Sequence, residues 1–254
     1  MPTSLTLPDH VAAIRTAADR MITAYASTGP DAEVPTCPSW TMADLMVHQS
    51  VIHRWAAGNL RGEGEEPPVS EEQVMAEADD LGAYLADGVT ELLATIDHVP
   101  DDVEAMVFVL DAPPPRRFWA RRQAHETTIH SIDALAAALR RTPAAAEADI
   151  PVDLAVDGID ELVCGFAPRR SPSRLYAGED FAFVVRATDA DAAWTLQVDE
   201  SLAVTSDHTA PTDVPQLTGT AAELYLGLWN RGTQITGDPR LLQQWANAIQ
   251  VEWT

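Results

Sequence analysis

Glu126 and His130 stand four residues apart in a run that has neither glycine nor proline from Arg116 to Thr142. On a helix that spacing stacks one side chain over the other, so a carboxylate and an imidazole share a face. Such a pair offers two ligands to a divalent metal. Helical geometry rejects a neighbouring pair: His125 and His130 are five apart, roughly 140° around a helix of 3.6 residues per turn. The string from His125 to His130 is therefore not the zinc-protease motif, which needs its two histidines four apart. A third ligand is available from an earlier stretch. Leu45, His48, Ile52 and Trp55 recur at a three-four-three spacing, which marks the inward stripe of a bundle helix. His48 lies on that stripe and His53, five residues on, does not, so at most one of the two is expected to face the core. His48, Glu126 and His130 together form a nitrogen, oxygen, nitrogen set with a coordination position left open, as in catalytic zinc sites. The same set fits non-haem iron(II), and both metals stay open on this reading.

The elements that must carry these residues read as helices. Residues 9–28 form an amphipathic helix with Val11, Ile14, Ala18, Met21, Ile22 and Tyr25 on one stripe, closed by Gly29-Pro30. A proline-held loop, residues 34–40, leads to Thr41, an N-cap with Asp44 three residues on, and a second helix follows over residues 41–60. After a polar loop at 62–68, Ser70 with Gln73 opens a third long helix running through Leu81, Leu85, Val89, Leu92, Leu93 and Ile96. The apolar run 106–110 precedes Pro113-Pro114-Pro115, read as a non-helical crossover. The helix carrying Glu126 and His130 comes next, with Phe118, Ile129, Ile132, Ala136 and Leu139 at helical spacing. Four helices of about 20 residues, with one longer connection before the last, predict an up-down bundle with a metal site in its core.

An alanine-rich, acidic linker over residues 142–151 divides the chain into domains 1–145 and 146–254. Beyond it, 152–166 is another amphipathic helix, and 181–186, 194–198 and 202–204 have the residues of short strands, with Asp199-Glu200-Ser201 as a hairpin turn. Gly219-Thr220 opens a helix through Leu224, Tyr225, Leu228 and Trp229. Asp238 caps a last one, with Pro239 at its first position. This is a small α+β domain.

Sixteen Lys and Arg against 39 Asp and Glu give a formal net charge of −23 over 254 residues. Such an excess argues against nucleic acid or an anionic membrane as partner. Arg116, Arg117, Arg121 and Arg122 crowd the start of the central helix and read as surface charge. Cys37 and Cys164 are too few for a disulfide framework, and Cys37, between prolines, reads as a packed loop residue rather than a nucleophile. The first ten residues lack a basic start followed by an apolar run, and no stretch reaches the ~18–20 apolar residues that span a bilayer. A cytoplasmic protein, monomer or homodimer, is expected.

Four stretches carry a resemblance. Pro35-Thr36-Cys37-Pro38-Ser39-Trp40-Thr41-Met42-Ala43-Asp44-Leu45-Met46-Val47-His48, with Arg54-Trp55, is similar to the first block of the mycothiol-dependent maleylpyruvate isomerase family. The run from Arg121 to Ala134 resembles the second block. Residues 217–231 and 237–242 resemble its C-terminal domain. The resemblance implies a DinB-like four-helix bundle followed by a sterol-carrier-like α+β domain. It makes His48, Glu126 and His130 the ligands of zinc or another divalent metal, and mycothiol the thiol cofactor. The implied chemistry is cis–trans isomerisation: zinc stabilises the thiolate, the thiolate adds to an activated double bond, the new single bond rotates, and the thiol leaves. It also implies a catalytic arginine from the C-terminal domain, best matched by Arg231, which could clamp a substrate carboxylate. As a plain helix-end residue, Arg231 would simply complement the helix dipole.

Three readings follow. The first is a zinc- and mycothiol-dependent isomerase or thiol S-transferase whose partners are a small electrophile and a low-molecular-weight thiol. The second is a zinc hydrolase, for which Asp133 and His53 are the available general bases. The third is a metal-stabilised module that binds an apolar ligand or a partner without catalysis.

Overall fold

A computed structural model describes residues 5–109, 111–169, 173–206 and 211–250 of the chain. The chain divides into two compact units: a helical one, Thr6–Phe108 with Ala112–Pro143, and a second comprising Met1–Leu5, Val109–Asp111 and Ala144–Thr254.

The helical unit is built on four long helices: α1 (Leu7–Thr28), α2 (Met42–Arg61), α4 (Leu81–His98) and α5 (Pro115–Leu139), with the short α3 (Glu71–Glu77) between the second and third. Helix α1 packs on α5 and α4, and α2 packs on the same two. Local chemistry sets the ends. The Thr41 backbone N–H donates to Asp44 Oδ2 at 2.8 Å while Asp44 N–H donates to Thr41 Oγ1 at 3.3 Å, satisfying two amides that α2 leaves without helical partners. Gly62, at φ 73°, takes the left-handed conformation that closes the same helix.

Two expectations are corrected here. The third long helix is two helices. Ala78 is extended (φ −80°, ψ 115°), and Asp80 caps a new start by accepting from Gly82 N–H at 2.8 Å and Ala83 N–H at 3.1 Å. An aspartate that caps two amides competes well with helix continuation. The Ser70–Gln73 box opens α3 instead. Pro115 is also helical, as the first residue of α5, where the missing N–H costs no hydrogen bond. Of the apolar run 106–110, Leu110 lies outside the described residues, and the rest is irregular.

The second unit is a four-stranded sheet with helices. Its strands are β1 (Phe181–Ala187), β2 (Ala193–Val198), β3 (Leu202–Ser206) and β4 (Gln216–Gly219), in the spatial order β3-β2-β1-β4. Strand β1 runs antiparallel to β2 and parallel to β4, with Val185 opposite Trp194 on one side and Leu217 on the other. Phe183, Val184 and Val185 are accordingly all buried, whereas β2 alternates and the edge strand β3 buries only Leu202. Asp199 Oδ1 accepts from Ser201 N–H at 2.6 Å in the turn between β2 and β3.

The linker is not featureless, because it carries the one-turn helix α6 (Ala145–Ala148). Helix α7 (Val152–Asp160) widens into a π-helical turn, Glu161–Phe166, rather than continuing regularly. Helix α8 (Ala221–Leu228) is capped by Thr220 and packs on α7 and β4. Helix α9 (Pro239–Ala248) starts on Asp238, whose carboxylate accepts from Arg240 N–H at 2.8 Å, and its Trp245 Nε1 donates to Leu228 O at 2.9 Å. The segment before Gly219 is a strand that sequence reading passed over. No helix among the described residues is long and apolar enough to cross a membrane.

Candidate metal centre

Helix α5 is buried around its whole circumference from Phe118 to Ala134, polar residues included. Arg121 and Arg122 are 1% and 0% exposed, so these two are not surface charge. Arg117 is exposed, as the surface reading expects, whereas Arg116 is half-buried and pairs with Asp101 at 2.7 Å. A charged side chain driven into the interior needs a partner. Arg122 Nη2 has one in Glu126 Oε2, 2.8 Å away and one turn along the helix.

That pairing leaves the other carboxylate oxygen aimed at two imidazoles. Glu126 Oε1 lies 3.3 Å from His130 Nε2 and 3.6 Å from His48 Nε2. The two rings meet edge to face with centroids 5.1 Å apart. One ligand atom from each of His48, Glu126 and His130 falls within 4.8 Å of the other two, and all three residues are buried. Helix α2 brings the first, α5 the other two. His48 Nε2 has no hydrogen-bond partner although it is shut away from solvent. A buried ring nitrogen without a hydrogen-bond partner, beside a carboxylate and a second imidazole, fits a divalent cation.

The remaining ring nitrogens are held by carboxylates. His48 Nδ1 is 2.7 Å from Glu71 Oε1 on α3, and His130 Nδ1 is 2.9 Å from Asp133 Oδ2. Asp133 is fully buried, and its other oxygen accepts from Thr36 Oγ1 at 2.6 Å. Carboxylates in this position fix an imidazole with its proton on Nδ1 and its lone pair on Nε2. Trp40 covers both rings, at 4.8 Å from His48 and 5.7 Å from His130, near parallel to the latter. The loop before α2 therefore contributes both Thr36 and Trp40, held by Val34 N–H to Trp40 O at 3.0 Å and Trp40 N–H to Cys37 O at 2.8 Å. Cys37 is half-buried in that loop.

Electrostatics follow from this packing. Burial opposes a charge on His48, but the carboxylates of Glu126 and Glu71 outweigh it and raise its pKa to about 9. Burial likewise opposes the charge of Glu126, yet His130, His48 and Arg122 hold its pKa well below the usual carboxylate range. A divalent cation would take over the role of the imidazole protons.

His53 corrects another expectation, because both histidines of α2 are buried. His53 Nε2 donates to Thr127 Oγ1 at 2.9 Å, and that hydroxyl donates in turn to Gln123 O at 2.7 Å. Burial, aided by Arg54, pushes its pKa down to about 3, so it is neutral. His125 turns away from the three-residue cluster toward His10, with ring centroids 6.3 Å apart. Arg231, in the second unit, follows Asn230, whose φ of 60° ends α8; its N–H donates to Leu226 O at 2.7 Å and its Nη1 to Trp229 O at 3.2 Å. Sequence reasoning missed Glu71, Arg122 and Trp40, and took Asp133 for a base. Helical spacing contained a signal for two of these: Arg122 and Asp133 stand four and three residues from the ligands they touch.

The sequence profile described as the mycothiol maleylpyruvate isomerase N-terminal domain matches residues 11–135, and that of the MDMPI C-terminal domain matches residues 153–244. A solved structure of the mycothiol-dependent maleylpyruvate isomerase superposes with a TM-score of 0.60 at 17% identity, covering 94% of this chain and 96% of that one. A histidine-to-alanine mutant of that enzyme superposes with a TM-score of 0.61 at the same identity and coverage. These likenesses show a shared fold. No curated protein sequence matches the chain.

Proposed function

We propose, from the premise that the chain belongs to the mycothiol maleylpyruvate isomerase family, that it is a thiol-dependent isomerase or S-transferase with a divalent ion held by His48, Glu126 and His130. Zinc suits this donor set best. The observation that carries the reading is the convergence of three buried donor atoms on a point where His48 Nε2 lacks any hydrogen-bond partner. When bound, the ion supplies a positive centre beside which a thiol ionises near neutral pH.

This chain's own residues do the positioning. Arg122 holds one oxygen of Glu126 and so presents the other. Asp133, itself tied to Thr36, orients His130. Trp40 shields one face of both imidazoles from water. The thiol is mycothiol, after the family. Its thiolate adds to the activated carbon–carbon double bond of an electrophile such as maleylpyruvate. Rotation about the resulting single bond and expulsion of the same thiolate give the trans isomer with the thiol regenerated. If the enolate formed by addition instead takes up a proton from water, the thiolate is retained and the thioether is the product of S-transfer. Arg231 is assigned to a substrate carboxylate, which a guanidinium grips bidentately.

In this reading residues 1–145 are a DinB-like four-helix metal-binding domain and 146–254 a sterol-carrier-like α+β domain. The protein acts in the cytoplasm as a monomer or homodimer on small molecules. The hydrolase alternative draws no support from its two base candidates. Asp133 is engaged by His130 and Thr36, and His53 by Thr127.

Elemental analysis of the purified protein beside its His48→Ala and Glu126→Ala variants tests the centre. Near one equivalent of zinc is expected in the wild type and none in either variant. Turnover of a cis-unsaturated dicarboxylate should then appear only when thiol is added. Metal-dependent hydrolysis without thiol would move the hydrolase reading to the front. Loss of folding on metal removal, with no turnover under either condition, would favour the non-catalytic module.

A further inference from the structure

The two imidazoles of the centre are oriented by different kinds of structure. His130 is held by Asp133, a fully buried residue of the same helix, one turn on and tied down by Thr36. His48 is held by Glu71, which comes from a different element and whose side chain is 55% exposed. Glu71 is the first residue of α3, a seven-residue helix that buries only Val74 and packs on α2. One orienting carboxylate is thus part of the core, and the other arrives with a small helix at the surface.

We infer that Glu71 is the positioning residue for His48 and makes the docking of α3 a condition for holding the metal; this rests on the metal-centre reading above. A carboxylate only accepts hydrogen bonds, so with Oε1 at 2.7 Å the imidazole proton sits on Nδ1. Nε2, which lacks a hydrogen-bond partner and faces Glu126 at 3.6 Å, is then the nitrogen that offers its lone pair when a cation displaces its proton. Without Glu71, nothing else among the described hydrogen bonds engages Nδ1. The ring is then free to put its proton on Nε2 and lose its place as a ligand. Because α3 has so little buried surface, it can leave α2 at small cost, which makes His48 the ligand first released.

Zinc affinity, measured by competition with a chromophoric chelator, tests this on the wild type, Glu71→Ala and Glu71→Gln. Glutamine keeps an oxygen acceptor at the same position. Glu71→Ala is expected to weaken zinc binding by about ten- to a hundredfold and to speed zinc loss to the chelator. Glu71→Gln is expected within about threefold of the wild type. In zinc-loaded, ring-nitrogen-labelled protein, the Nδ1–H signal of His48 should persist in the glutamine variant and broaden or vanish in the alanine one. The melting temperature of the metal-free protein should fall by no more than a few degrees in either variant, because the His48–Glu71 pair has an exposed partner. Unchanged affinity in Glu71→Ala overturns the inference, as does a loss that glutamine fails to rescue. A large fall in metal-free melting temperature, beyond what one half-exposed ion pair accounts for, would make Glu71 a structural residue and overturn it too. If the wild type itself takes up no zinc, the metal-centre reading has failed, which is seen before any Glu71 variant is compared.

Discussion

Arg122 Nη2 and Glu126 Oε2 stand 2.8 Å apart on successive turns of α5, with the two side chains 0% and 4% exposed. A pair so far from water stabilises little as a pair, but removing one member strands the other's charge. Arg122→Met should therefore destabilise the metal-free protein by about 3–5 kcal/mol. A divalent metal should recover part of that loss by binding the folded form alone. Denaturant melts with and without zinc check this. Equal melts for wild type and variant would mean that Glu126 is not charged in the interior.

The three ligands are separable from the two bystander histidines. His130→Ala should abolish metal binding, whereas His53→Ala and His125→Ala should retain it, because His53 engages Thr127 and His125 turns toward His10. Metal content by elemental analysis reads all three. Zinc retained by the His130→Ala protein would sink the assignment.

His53 also predicts an acid response. Its folded pKa of about 3 lies below the ordinary histidine value of 6.5 because of burial and, secondarily, Arg54. Between those values the unfolded chain binds a proton that the folded chain refuses. The stability is therefore intact above about pH 6.5 and is lost as pH falls toward 3, by about 1.4 kcal/mol per pH unit. His53→Gln keeps an N–H for Thr127 and cannot titrate. Its stability should fall less steeply than the wild type's across that window; parallel acid limbs would show that His53 takes up its proton in the folded state.

In the second unit, Gly237 lies where β4 passes. A Cβ there would come 2.7 Å from the backbone oxygen of Gln216 and 2.6 Å from Leu217 Cδ2. The backbone oxygen cannot rotate aside as a side-chain tip would. Gly237→Ala should cost about 1–3 kcal/mol, read as a lowered denaturation midpoint. An unchanged midpoint would mean that the chain before α9 can shift freely.

What sequence made legible, and what it hid, follows the range of the forces. Caps are local, and Thr41 with Asp44 and Asp238 with Pro239 were readable as helix starts. The pairing of Glu126 with His130 is set by helical pitch and was readable too. Strands β1, β2 and β3 showed their residue types and their turn. Strand β4 is four residues long and pairs in parallel with a strand about 30 positions earlier, so no hairpin signal announces it. The break between α3 and α4 hung on one capping aspartate inside a pattern that otherwise continued. Helix α5 misled for a different reason. Its apolar stripe suggested one buried face, yet its arginines, histidines and Asp133 are buried as well, each with its own polar contacts. Glu71 reaches His48 across 23 residues and leaves no periodic trace.

The packing of α1 against α5 has a consequence for how the protein is made. Helix α1 ends at Thr28 and its partner at Leu139. At roughly 5–20 residues per second of synthesis, the ~110 intervening residues keep α1 without that partner for about 5–20 s. During this interval the buried stripe of Ile14, Ala18 and Met21 is uncovered on the nascent chain. His48 has likewise emerged long before Glu126 and His130. The ribosome thus delivers the centre's ligands in two instalments, and the first must be kept from aggregation until the last long helix closes over it.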